Sequence, residues 1–210
     1  MRTLFFPLIL AALLASARAS DPHEVAVEAV CSPATGDREF LSYRLIQPAN
    51  VRENDADHAR ARQHVRTALS GRGLFEALPG TVPDLVIQVD CGLGAPRGVI
   101  RTHLVPVRPE NPNPFLNSEP MTLVAVNERV YLAPKFLLLT ARAGGSPQQL
   151  WRVWASVSDE AVDLEPALPV LAAAAMNAIG SNTGGVTLLR LQPKDVDILF
   201  IEAGMKVAGR

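Results

Sequence analysis

Residues 23–31 alternate in character: Val25, Val27, Ala29 and Cys31 share one side, Glu24, Ala26, Glu28 and Val30 the other. A period of two predicts a strand with one covered face. The turn formers Ser32-Pro33-Ala34-Thr35-Gly36-Asp37 precede a second alternation carried by Leu41, Tyr43 and Leu45, so the two strands are expected to pair as a hairpin. Pro48 closes the second strand. Asn54 or Asp55 is placed to cap a helix running to about Ser70, with Asp55 and Asp57 where the helix dipole favours negative charge. At 100° per residue Ala61, Val65, Ala68 and Leu69 line one side of that helix. Gly71 and Gly73 end it, and Leu74-Phe75 is expected to tuck back against the core.

The next strand starts near Asp84 and directs Leu85, Ile87, Val89 and Cys91 one way and Val86, Gln88 and Asp90 the other, until Gly92 and Gly94 close it. Residues 99–107 read as a strand with mixed faces. Residues 108–120, with four prolines and three asparagines, read as a loop. Further strands are expected over 122–126, 130–141 and, after Gly144-Gly145-Ser146-Pro147, over 150–157. A second helix opens near Pro166, whose missing amide is harmless in a first turn, and continues through Leu168, Leu171, Ala172, Ala175, Met176 and Ile179 to Gly180. A strand over 186–191 follows; the apolar stretch 196–201 has no periodicity that fixes its type. Strands often follow one another without an intervening helix, which excludes a doubly wound parallel sheet. The expected class is α+β: a single two-layer sandwich, its sheet mixed or mostly antiparallel, with two main helices on one face.

The first residues change the picture. Arg2, the apolar run 4–14 and Ala17-Arg18-Ala19 have the order of a secretory signal peptide, with cleavage expected after Ala19. That leaves residues 20–210 as one domain. It also removes Arg2 and Arg18, so 18 basic face 21 acidic side chains, a net charge of −3. Such a balance argues against nucleic acid as a partner. With 48% apolar and 20% charged residues, wholesale disorder is excluded, and beyond the leader no apolar run approaches the roughly 18 residues that would span a bilayer. The expectation is an exported protein, periplasmic or extracellular, without stable membrane insertion once the leader is removed.

Several stretches carry a resemblance. They are Tyr43-Arg44-Leu45 before the first helix, Ala68-Leu69 with Gly71, Gly73 and Leu74 after it, residues 84–89 with Gly92 and Gly94, Leu150-Trp151-Arg152, and Leu168-Pro169-Val170-Leu171 with Gly180 and Asn182-Thr183. Together they span most of the chain after the leader. This pattern resembles a family of uncharacterised bacterial envelope domains, many of them lipoproteins, grouped as a domain of unknown function (4136-like). The resemblance implies an α+β sandwich and brings no reaction or catalytic residues. The leader departs from it in having no lipid-attachment cysteine.

Candidate chemistry is sparse. In an oxidising compartment Cys31 and Cys91 are a possible disulfide, for which chain entropy would contribute about 4 kcal/mol; two buried thiols are the alternative, favoured if the hairpin sets the cysteines at opposite edges of the sheet. His23, His58, His64 and His103 lack chelating spacing: His58 and His64 are six apart, away from a shared helical face, and read as solvated helix residues, so no metal is expected. Gly180-Ser181-Asn182-Thr183-Gly184 has the wrong register for a nucleophile elbow, and Gly92-Leu93-Gly94 lacks the third glycine of a dinucleotide fingerprint. Asp159-Glu160 sits in a turn context. No cofactor is implied.

Trp151 and Trp154, three apart on a strand, face opposite ways. Trp151 joins Val153, Ala155 and Val157 and is expected in the core. Trp154 shares its face with Arg152, Ser156 and Ser158 and is either a contact platform, with Arg152 able to stack on it, or a large residue under a loop. The expected function is a non-catalytic domain binding an envelope protein or a small ligand through Trp154 and Arg152. A hydrolase with an unrecognised site beneath the loop 108–120 is one alternative, and a purely structural accessory domain another.

Overall fold

The computed structural model describes residues 23–35, 40–52, 55–107 and 122–192. The expected leader, the expected loop 108–120, the segment 196–201 and Asn54 lie outside the described residues. In chain order the elements are β1 (His23–Cys31), β2 (Ser42–Ile46), α1 (Ala56–Gly71), β3 (Phe75–Glu76), β4 (Leu85–Leu93), β5 (Arg97–Val107), β6 (Thr122–Ala143), β7 (Gln149–Asp159), α2 (Leu168–Ala178) and β8 (Thr187–Leu191). The class is α+β. A mixed sheet in the order β3-β2-β4-β6-β7-β1-β8 is covered on one face by the two helices, with β5 paired to β6 off that path. Only the β2–β3 and β2–β4 pairs are parallel among the described residues.

The helix-facing side of the sheet is the alternation read from the sequence. Val25, Val27 and Ala29 on β1, Leu85, Ile87, Val89 and Cys91 on β4, and Trp151, Val153 and Ala155 on β7 are all buried there. Asp55 caps α1 by accepting a hydrogen bond from the His58 amide at 3.0 Å, and Ala61, Val65, Ala68 and Leu69 face inward. α2 buries nine of its eleven residues. A helix apolar on nearly every side belongs inside a fold, and its alanines let it pack closely on β1, β6, β7 and α1.

The expected β1–β2 hairpin does not form. β1 lies between β7 and β8, antiparallel to both, while β2 starts a parallel β2–α1–β4 unit. Tight hairpins use loops of about 2–5 residues. Here the chain between Cys31 and Ser42 is longer and crosses from one side of β4, β6 and β7 to the other. The two strands expected over 122–141 are one. β6 pairs first with β5, then with β7 from Ala133 onward and with β4 from Lys135 onward. The change of partners falls at Pro134, whose carbonyl accepts from the Gly94 amide at 2.7 Å.

Asp84 fixes β2 against β4. Its Oδ2 accepts from the amides of Leu41 (3.1 Å) and Ser42 (2.8 Å) and from the Ser42 hydroxyl (2.8 Å), and Ser42 Oγ accepts in return from the Asp84 amide. These donors hold the carboxyl below its ordinary range, those of Ser42 most strongly.

Candidate functional site

With both helices on one side, the other side of the sheet carries no described element. Its side chains follow from the register. One row across β1, β7, β6 and β4 runs Glu28, Trp154, Leu138, Asp90. The row beside it runs Val30, Arg152, Thr140, Gln88, and the one on the other flank Ala26, Ser156, Phe136, Gly92. Trp154, Leu138 and Phe136 therefore sit as contiguous neighbours at the centre of the sheet, each half-buried. Gly92 permits this closeness. A Cβ built there would come within 3.2 Å of the Phe136 ring, so that ring lies over bare backbone. Trp151, on the opposite side of β7, is 3% exposed and in the core.

Arg152 and Trp154 are two residues apart on one face, roughly 7 Å along the strand, close enough for a guanidinium to lie against the indole. Glu28 on β1 is paired in register with Trp154. The face thus offers an aromatic and aliphatic centre with an acid on one flank and a cation on the next row. That combination suits a protein surface.

A second candidate lies on the helix side and was missed by sequence reasoning. Ala133, Lys135, Leu137, Leu139 and Ala141 point inward along β6, and Lys135 is 1% exposed among them. Its ammonium donates to both carboxylate oxygens of Asp159, at 2.7 and 2.9 Å. The pair borders a cavity of about 680 Å³ between the start of β1, the end of β7 and the first turn of α2. The signal was present in the sequence: a lysine whose neighbours two residues away, Ala133 and Leu137, are apolar in a period-two run.

The remaining candidates are dispersed. Cys31 and Cys91 are free thiols. β6 and β7 separate their strands, about 14 Å across the sheet, and Cys31 is in register with Trp151, Ala141 and Ile87 rather than with Cys91. A disulfide needs Cα atoms within about 7 Å, so the possible bond is not made. Burial pushes the Cys91 thiol up to about 12. His58 is not a solvated helix residue: it is buried, with Nδ1 3.0 Å from Asp55 and Nε2 3.3 Å from Asp90. β2 stops opposite Gln88, which leaves Asp90 on a free edge of β4 from which its carboxylate reaches the imidazole. His103 is far off on β5, and His23 opens β1. Among the described residues no three His, Cys, Asp or Glu side chains converge in a metal-holding arrangement, and no helix is long and apolar enough to cross a membrane.

One more surface stands out. β5 and residues 122–132 of β6 form a two-stranded ribbon, about 35 Å long, that leaves the sheet with Ile100, Leu104, Leu123 and Tyr131 each about 60% exposed or more.

The fold and its surfaces thus define a one-sheet α+β domain with a sheet face that no described element covers and, on the helix side, a cavity beside Lys135. The chain matches no family model and no curated protein. Among solved structures it is similar to the crystal structure of a PDZ domain protein from Parabacteroides distasonis ATCC 8503, at 12% identity and a TM-score of 0.41. That match covers 80% of this chain and 39% of the other, so the chain spans about two fifths of that protein's length.

Proposed function

We propose that the protein is an exported, non-catalytic envelope domain that binds a protein partner across its bare sheet face, with Trp154 and Arg152 as the central contacts. One observation carries the reading. Phe136, Leu138 and Trp154 form an apolar centre on the side of the sheet that neither helix covers. A contiguous apolar patch rimmed by charge, here Glu28 and Arg152, is the mark of an interaction surface. Tryptophan and arginine are the residues that most often dominate binding energy at such a surface. The leader pattern of residues 1–19 and the resemblance to envelope domains support export, which N-terminal sequencing of the expressed protein tests: the chain is expected to begin at Ser20.

The binding reading is tested by pull-down from envelope extracts with three variants. Trp154→Ala and Arg152→Glu alter the sheet face, and Ala59→Arg alters the exposed side of α1. The expected outcome is a protein captured by the wild type and by Ala59→Arg and lost from both sheet-face variants. Retention by the sheet-face variants contradicts the reading.

A further inference from the structure

We infer that the cavity bordered by Lys135 binds an amphipathic monocarboxylate, a single carboxylate joined to an apolar body. The site lies on the helix side of the sheet and is independent of the face that carries Trp154.

The starting point is an asymmetry in the ion pair. Lys135 occupies a position on β6 whose neighbours along the inward row are all apolar, and its side chain is 2% exposed, whereas that of Asp159 is 51% exposed. A buried ammonium requires an anionic partner, because hydration is denied to it. The half-exposed carboxylate has no such need. Asp159 can turn to water and remain solvated; Lys135 cannot.

The cavity beside the pair has the volume of a small-molecule site, about 680 Å³. Val157, Ala161, Pro166, Ala167 and Val170 give it apolar walls, and His23 and Ser158 border it beside the Lys135–Asp159 pair. Glu24 also borders it, but its carboxylate is engaged by Arg190 at 2.8 and 2.9 Å. An ammonium has three donors, and Asp159 is the acceptor group it meets among the described residues. A ligand carboxylate can displace Asp159 toward solvent and take its place on the ammonium, while the apolar body replaces water along the walls. An uncharged ligand would gain only the apolar part.

Isothermal titration of the full-length protein after leader removal tests this with sodium decanoate, decanol and an N-acetylated apolar tripeptide bearing a free carboxylate. The variants are Lys135→Met, Asp159→Ala and Val170→Trp, each checked for a cooperative melt. Decanoate is expected to bind at one site, at least tenfold more tightly than decanol. Lys135→Met is expected to weaken it at least tenfold, and Asp159→Ala to strengthen it, because the competing carboxylate is gone. Val170→Trp narrows the chamber at its apolar wall and leaves both members of the ion pair in place, and it is expected to weaken binding at least tenfold, which keeps the test sound if Lys135→Met fails to fold. Binding of the tripeptide in place of decanoate assigns the carboxylate to a peptide C-terminus rather than a fatty acid. Absence of binding by both, equal affinity for decanol, or binding unchanged by Lys135→Met or Val170→Trp overturns the inference.

Discussion

Removing either partner of the Lys135–Asp159 pair should have unequal effects on stability. Lys135 is buried at its Nζ end and Asp159 is half in solvent. Replacing the lysine by methionine keeps the length and apolar bulk of the side chain, and the carboxylate left behind is already hydrated. Exchanging a buried ion for a hydrophobic side chain of similar size is often neutral or stabilising, so Lys135→Met should lie within about 1 kcal/mol of the wild type. Asp159→Ala leaves an ammonium in the interior with no counter-ion. Breaking a buried pair in this way costs about 3–5 kcal/mol, and the half-exposed position of Asp159 argues for the lower end, about 3 kcal/mol. The double variant should then return to within about 1 kcal/mol of Lys135→Met, because the lone ammonium is gone. Urea unfolding at neutral pH, followed by far-ultraviolet circular dichroism, measures all three. If Lys135→Met costs as much as Asp159→Ala, or if the two losses add in the double variant, the assignment of the cost to an uncompensated lysine is wrong.

Trp151→Ala should cost about 3–5 kcal/mol as a core truncation and Trp154→Ala clearly less, both read by denaturant titration; equal large losses would place Trp154 in a second core. Asp84→Ala should cost about 1 kcal/mol at neutral pH, a figure reduced for solvent exposure, through loss of the bonds from Leu41 and Ser42. Because the folded carboxyl is held below its ordinary range, that contribution is complete above about pH 4, the unfolded value, and fades as the pH falls through the lower folded value. The gap between the variant and the wild type should therefore close in acid, as melts over a pH series would show. Thiol titration should find two free cysteines in guanidinium, with half-buried Cys31 reacting first and Cys91, its thiol raised to about 12 by burial, only on unfolding; finding no thiols would restore the disulfide.

Which side of each strand faces the core was legible because a period of two is written locally. β1, β4 and β7 bury the residues that alternation selects, and Trp151 and Trp154 part as their spacing requires. Partners were not legible. Cys31 ends a strand that pairs with β7 and β8, more than a hundred residues on, and nothing between residues 23 and 46 distinguishes that from a hairpin. β6 read as two strands because Asn127, Glu128 and Arg129 interrupt its apolar pattern. In a ribbon exposed on both sides these residues cost nothing, and Asn127 Oδ1 accepts from the Thr102 hydroxyl across it at 2.7 Å. Lys135 and His58 escaped for a shared reason. Local sequence supplies a face, but the acids that stabilise a buried lysine or imidazole, Asp159 and Asp90, come from other strands.

The most direct test of the bare sheet face compares two single-tryptophan proteins, Trp151→Phe and Trp154→Phe, by acrylamide quenching of fluorescence. If the side of the sheet opposite the helices is open in solution, the indole of Trp154 in the first protein should emit at longer wavelength and be quenched several-fold more strongly than the buried Trp151 in the second. Equal, weak quenching of the two, with blue-shifted emission from Trp154, would mean that the face is covered, and would contradict its assignment as the partner-binding surface.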